Sequence, residues 1–312
     1  MQGIVLQSTG SWYKVLLPKS GTEIECRIKG KFRQDELGST NPVAVGDLVE
    51  IDMEAGLNTG TITDILPRKN YIIRQSPRKK WQKQIIAANI DQAVLMVTFS
   101  EPRTSFGFID RFLVTAEMFH IPALILFNKY DVYTPKDRQL CAEATHIYQH
   151  LGYECLTVSA TTGYGIDAVK AAMKNKTNLV SGHSGVGKST LINLLMPELD
   201  LNTRQISKFS GKGMHTTTFA CMYALPFGGF IIDTPGIKEF GVVHLEPDEV
   251  SHYFCEMRQL LPNCKYNNCL HRDENQCAVK KAFEDGLIAE SRYNSYLRIL
   301  ADIEAINYWE RS

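Results

Sequence analysis

The chain has 312 residues, beyond the roughly 250 to 300 at which a single hydrophobic core stops growing, so more than one domain is expected. Its 44% hydrophobic and 22% charged residues exclude a disordered tail or a disulfide-dense scaffold. Lys plus Arg equals Asp plus Glu at 34 each, which excludes attraction to nucleic acid through overall charge and leaves only local patches.

The N-terminus, MQGIVLQSTGSWYKV, lacks a basic segment followed by an apolar run, and no stretch approaches the roughly 18 apolar residues of a membrane span. A cytoplasmic protein with no membrane contact is expected. Residues 1–66 alternate short β-rich runs (GIVLQS, WYKVLLP, GTEIECRI, GDLVEIDM, GTITDILP) with turn signals, and read as an OB-like β-barrel. Such a barrel either binds nucleic acid on its open face or serves as a spacer. Residues 67–87 read as a basic linker. From Arg68 to Lys83 it holds seven Lys or Arg and no acid, with Tyr71 and Trp81 among them, so it is either an RNA contact or a solvated connector.

Residues 88–240 alternate apolar strands (QAVLMVTF, PALILFN, YECLTVS, TNLVSG, GFIID) with helical stretches, the α/β pattern of a mostly parallel sheet. Asn128, Lys129, Tyr130 and Asp131 follow the strand PALILF and match the NKxD motif that selects guanine. The Asp131 carboxylate can accept from both N1–H and the exocyclic amine of guanine, a donor pair that adenine lacks. Ser159-Ala160 follows the strand YECLTV and resembles the loop whose backbone meets the guanine edge.

GHSGVGKS follows the strand TNLVS and opens a helical run, so Gly182, His183, Ser184, Gly185, Val186, Gly187, Lys188, Ser189 and Thr190 form a phosphate loop. Lys188 would bridge the β- and γ-phosphates, and the Ser189 hydroxyl would ligate Mg²⁺. Asp233 to Gly236 (DTPG) resembles the DxxG motif, with Asp233 on Mg²⁺ through water and the Gly236 N–H at the γ-phosphate. One of Thr216, Thr217 and Thr218 completes the Mg²⁺ shell, with Thr217 as the candidate. NKxD here precedes the phosphate loop, the reverse of the usual GTPase order. The site can still assemble, because loops at the carboxyl ends of parallel strands converge whatever the chain order.

After 240 the pattern turns helical around a Cys-rich window, so residues 241–312 read as a zinc-binding helical domain. Cys264, Cys269, His271 and Cys277 suit one closed, tetrahedral, structural Zn²⁺. Cys26, Cys141, Cys155 and Cys221 are scattered in apolar surroundings and read as buried free thiols.

Barrel, NKYD, GHSGVGKS, HTTT, DTPG and the Cys-Cys-His-Cys window occur in an order that resembles the RsgA (YjeQ/YloQ) family of circularly permuted GTPases across nearly the whole chain. The resemblance implies a monomer that hydrolyses GTP to GDP, binds the small ribosomal subunit late in its maturation, contacts ribosomal RNA, and is stimulated by the subunit. Ile237 stands where Ras-like GTPases carry the water-orienting Gln, so His215, next to the Thr run, is the catalytic candidate; its alternative is a solvent-facing loop residue. Competing functions are an RNA-binding regulatory protein that uses GTP as a structural ligand, and a metal-delivery GTPase chaperone.

Overall fold

The computed structural model describes residues 1–30, 42–54, 56, 58–75, 83–197, 220–233 and 245–311. The chain forms two compact units: one of Met1–Val94, Gly163–Ser181 and Gly187–Ile237, the other of Leu95–Thr162, Gly182–Val186 and Lys238–Ser312.

In the first unit, β1 (Gln2–Ser8), β2 (Tyr13–Leu17), β3 (Thr22–Ile28), β4 (Leu48–Met53) and β5 (Thr59–Ile65) are the five runs expected for the barrel. They pair in the order β1-β2-β3-β5-β4, with β4 returning to β1 and β3 parallel to β5, so the sheet closes and has no free edge. Alternation puts Val5, Tyr13, Val15, Ile24, Cys26, Val49, Ile51 and Ile62 inside.

The segment read as a linker contributes two paired strands, β6 (Tyr71–Gln75) and β7 (Lys83–Ala88), antiparallel with Tyr71 opposite Ala88. Residues 76–82, which include Trp81, lie outside the described residues. The β-branched pairs Ile72-Ile73 and Ile85-Ile86 favour extended backbone, and Ile72, Ile85 and Ala87 are buried, which explains why apolar pairing prevails over the charge of the run. The same unit holds α3 (Ile166–Met173), β11 (Thr177–Ser181), α4 (Lys188–Leu195), β12 (Cys221–Ala224) and β13 (Phe230–Asp233). β11 runs parallel to β13, and β12 links β13 to the barrel strand β1.

In the second unit, β9 (Ala123–Phe127) and β10 (Glu154–Thr157) pair in parallel beside the end of β8 (Gln92–Val97). Every residue of β8 is buried, as a strand covered on both faces requires. α1 (Phe106–Met118) starts at Ser105, whose hydroxyl accepts from the Phe108 N–H. α2 (Pro135–His150) starts with Thr134 and Asp137 in a reciprocal capping box and Pro135 in the first turn.

The stretch after 240 is less regular than a run of helices: Pro247–Tyr253 and Leu261–Asn263 are 3₁₀ turns, Cys255–Arg258 and Ala278–Glu284 are short helices, and only Glu290–Arg311 is long. Its core of Val250, Phe254, Met257, Tyr296, Ile299 and Leu300 packs with Val114 of α1. No helix among the described residues is long and apolar enough to cross a membrane.

Candidate nucleotide site and metal centre

Asn128, only 2% exposed at the end of β9, gathers three segments of the second unit. Its Nδ2 donates to the Val186 carbonyl of the phosphate loop at 2.7 Å, its Oδ1 accepts from the Ala160 N–H at 3.0 Å, and its own N–H donates to Val97 at the end of β8. NKYD, Ser159-Ala160 and the first half of the phosphate loop are thus joined through one carboxamide. Lys129 sits in the left-handed region at φ 63° and sends Nζ to the Glu101 carbonyl at 2.7 Å. The 3₁₀ turn Tyr130–Val132 leaves the Asp131 carboxylate exposed to accept a ligand. Ser159 is buried, and its hydroxyl accepts from the Thr162 N–H.

The phosphate loop needs its glycines. Gly182 lies at φ 145°, and a Cβ there would stand 2.4 Å from the Met96 carbonyl oxygen. Gly187, at φ 102°, is the turn from which α4 starts, so the first-turn N–H groups of α4 have no acceptors within the helix. His183 stacks its ring on Phe108 of α1 at 3.6 Å between centroids.

The loop runs from one unit into the other at Val186–Gly187, and Gly187, Lys188, Ser189, Thr190 and Asp233 belong to the first. There, burial holds Lys188 below the ordinary lysine range, and the Asp233 carboxylate partly restores it. A desolvated ammonium facing one carboxylate is the environment in which phosphate oxygens and a divalent cation replace water. Thr217, His215, the rest of the Thr run, Gly236 and Ile237 lie outside the described residues.

In the Cys-rich window, one ligand atom from each of Cys264, Cys269, His271 and Cys277 falls within 4.8 Å of the others. His271 Nδ1 lies 3.3 Å from Cys277 Sγ and 3.7 Å from Cys264 Sγ, and those two sulfurs are 4.0 Å apart. A tetrahedron with zinc–sulfur bonds of about 2.3 Å has edges near 3.8 Å, so the set fits one Zn²⁺. Burial pushes the Cys269 thiol up to about 12 and lowers His271. Three ligands are buried and Cys264 is half-buried, the geometry of a closed structural centre. The C-terminal helix braces it: the Tyr293 hydroxyl donates to the His271 carbonyl and the Tyr296 hydroxyl to the Leu270 carbonyl, each at 2.7 Å. All eight cysteines are free.

Two features escape sequence reasoning. Arg68 and Lys69, counted in the basic run, are paired with Asp47 and Asp91, the first largely buried and committed to the fold, the second in an exposed surface pair. The fully buried Arg292 of the C-terminal helix pairs with Asp110 of α1 at 2.8 Å and with Glu256 at 2.7 Å, while the Tyr148 hydroxyl donates to Asp110 at 2.8 Å. The available signal was Asp110 itself, a carboxylate on the apolar face of FGFIDRFLV.

A closed five-stranded barrel, a phosphate loop between a sheet strand and a helix with NKxD ahead of it, and a three-cysteine, one-histidine centre define a permuted P-loop GTPase with appended domains. Residues 65–243 match the RsgA GTPase family and residues 2–62 the RsgA N-terminal domain. The chain belongs to the RsgA GTPase family, hydrolases that act on GTP. It is 54% identical over 304 residues to a protein of Flavobacterium psychrophilum named small ribosomal subunit biogenesis GTPase RsgA, covering 96% of this chain and 92% of that one. It is 50% identical over 308 residues to the protein of that name from Bacteroides fragilis, covering 99% of each. Among solved structures, YjeQ from Thermotoga maritima superposes with TM-score 0.80 and 35% identity over 97% of this chain and 98% of that one. YloQ, described as a circularly permuted GTPase, gives 0.76 and 28%, over 97% and 95%.

Proposed function

We propose that this GTPase assists maturation of the small ribosomal subunit, hydrolysing GTP while bound to it. The observation that supports this most is the Asn128 hub, which joins the base-selecting segments to the phosphate loop in a chain whose full-length relatives are named for small-subunit biogenesis. In this reading the chain is a cytoplasmic monomer divided at about 66, 87 and 240, and its barrel and zinc domain contact ribosomal RNA.

Asp131 accepts the guanine N1–H and amine, and Ser159-Ala160 presents backbone to the base. Gly182 to Thr190 surround the phosphates with N–H groups, and Lys188 spans β and γ. Ser189, Thr217 and Asp233 would hold Mg²⁺, which supplies charge neutralisation of the triphosphate, and the Gly236 N–H meets the γ-phosphate. His215 orients water in place of the Gln that Ile237 replaces. Cys264, Cys269, His271 and Cys277 hold Zn²⁺ for structure alone.

The deciding experiment is GTP turnover with and without purified small subunits. Stimulation of tenfold or more, about 1.4 kcal/mol in the barrier, supports the reading, and turnover indifferent to subunits defeats it.

A further inference from the structure

The second unit contains a cavity of about 380 Å³ that the GTPase chemistry does not use. Phe99, Phe106 and Leu140 supply apolar walls, while Arg103, Ser291, Asn294 and Arg298 are polar members of the lining. The volume lies within the range of small-molecule sites, about 300 to 1,000 Å³, and apolar walls with a few polar groups are their usual composition.

Arg103 and Arg298 bring two exposed guanidiniums to this lining. Among the described residues, neither Arg103 nor Arg298 has a carboxylate within 4.0 Å. Asp302, one turn beyond Arg298, pairs with Arg111, and Asp137, held below its usual range chiefly by the Thr134 hydroxyl and N–H, also feels the charge of Arg103 without pairing with it. The Ser291 hydroxyl is buried with no hydrogen-bond partner among the described residues. One guanidinium neutralises a carboxylate; two that lack a paired carboxylate suit a phosphate dianion, and Phe99, Phe106 and Leu140 suit a planar body attached to it. A sugar-phosphate backbone would bring charge but no apolar surface for those walls.

The same loop that lines the cavity reaches the nucleotide site. Glu101 gives its carbonyl to Lys129, and Pro102 lies against Gly185, where an added Cβ would stand 3.5 Å from the ring. Thr104 anchors the loop at both ends of its turn, its N–H donating to the Thr98 carbonyl at 2.8 Å and its hydroxyl accepting from the Thr98 N–H at 3.2 Å. Arg103, Thr104, Ser105, Phe106 and Gly107 then face the cavity.

We propose that this cavity binds a small phosphate ester with a planar body, of nucleotide size, and that its occupant alters guanine-nucleotide affinity through the loop Phe99–Gly107. Coupling of this kind is reciprocal.

The test uses the full chain saturated with GDP, so that the guanine site is filled, and titrates it calorimetrically with ADP. One further site is expected, with adenosine and pyrophosphate each binding at least tenfold more weakly than ADP. Arg298→Gln should weaken ADP at least tenfold and leave GDP affinity without ADP unchanged. Gly107→Leu, whose first added carbon meets only the Ser295 hydroxyl at 3.9 Å and whose remainder would grow into the cavity, should do the same. Saturating ADP should shift GDP affinity at least twofold in the wild type and not in either variant. The proposal is overturned if GDP suppresses the ADP heat, if both variants bind ADP as the wild type does, if GDP affinity ignores ADP, or if a hexauridylate binds there and ADP does not.

Discussion

At the residue scale, the carboxamide of Asn128 and the carboxylate of Asp131 differ in what they can be asked to do. Asn128 is buried and fully engaged, so its replacement leaves the Val186 carbonyl and the Ala160 N–H without their partner, at about 1 to 3 kcal/mol for each buried group. Asn128→Ala should lower GDP affinity at least tenfold and lower the melting temperature. Asn128→Asp, which keeps the acceptor for Ala160 but turns the donor facing Val186 into a second acceptor, should be no better; equilibrium GDP binding and thermal unfolding decide. Asp131 is exposed, so Asp131→Asn should leave folding alone and change base preference instead. Xanthine presents a carbonyl where guanine has its amine, and the exchange should favour xanthosine over guanosine nucleotides by about 2 to 4 kcal/mol relative to the wild type. Competition binding of the two diphosphates measures it, and an unchanged ratio removes Asp131 from the base site.

At the scale of elements, the C-terminal helix Glu290–Arg311 is held from two directions, by the Arg292 cluster on α1 and by the tyrosine bonds to the zinc window. Burial acts to raise Glu256, but the charge and hydrogen bonds of Arg292 outweigh it and hold the carboxyl below its usual range. A depressed carboxylate contributes stability that is present above its unfolded pKa, about 4.3, and is lost as pH falls through the folded value. Wild-type stability should therefore fall with pH between about pH 4.3 and the folded pKa, and Glu256→Gln should lower stability above about pH 4.3 and flatten that fall, as denaturant titrations across this pH range would measure. Asp110→Asn, which leaves a buried guanidinium with one carboxylate fewer, should cost about 3 kcal/mol by denaturant titration. Metal analysis should find one zinc per chain, and Cys269→Ser should abolish it and expose Tyr293 and Tyr296 to solvent quenchers. GDP affinity should stay within a few-fold, because the ligands of the two centres are different residues on different segments.

For the whole molecule, the two compact units alternate along the sequence, and the phosphate loop passes from one to the other between Val186 and Gly187. A partner that orders both sides of that passage would act on the transition state by positioning groups already present. His215→Ala should then remove most of the subunit-stimulated rate while GTP affinity and subunit binding stay within a few-fold of wild type. Full stimulation of the variant would assign the water to another group.

The position and backbone geometry of the NKYD segment and the phosphate loop were legible in sequence because they depend on local rules. Glycines are needed where a Cβ would strike backbone, as at Gly182, and a strand end is needed to carry NKYD. Strand alternation in residues 1–66 and ligand spacing in residues 264–277 are likewise short-range patterns. What only the tertiary structure decided joins residues far apart in the chain: Asn128 to Val186, Arg292 to Asp110, and Phe108 to His183. No periodicity carries those pairs, since their partners are chosen by which helices and loops pack together. For the same reason the basic run divided: Arg68 and Lys69 were taken by acids that are distant in sequence, and β6 and β7 formed because their apolar residues found buried positions, a free energy that local charge does not report.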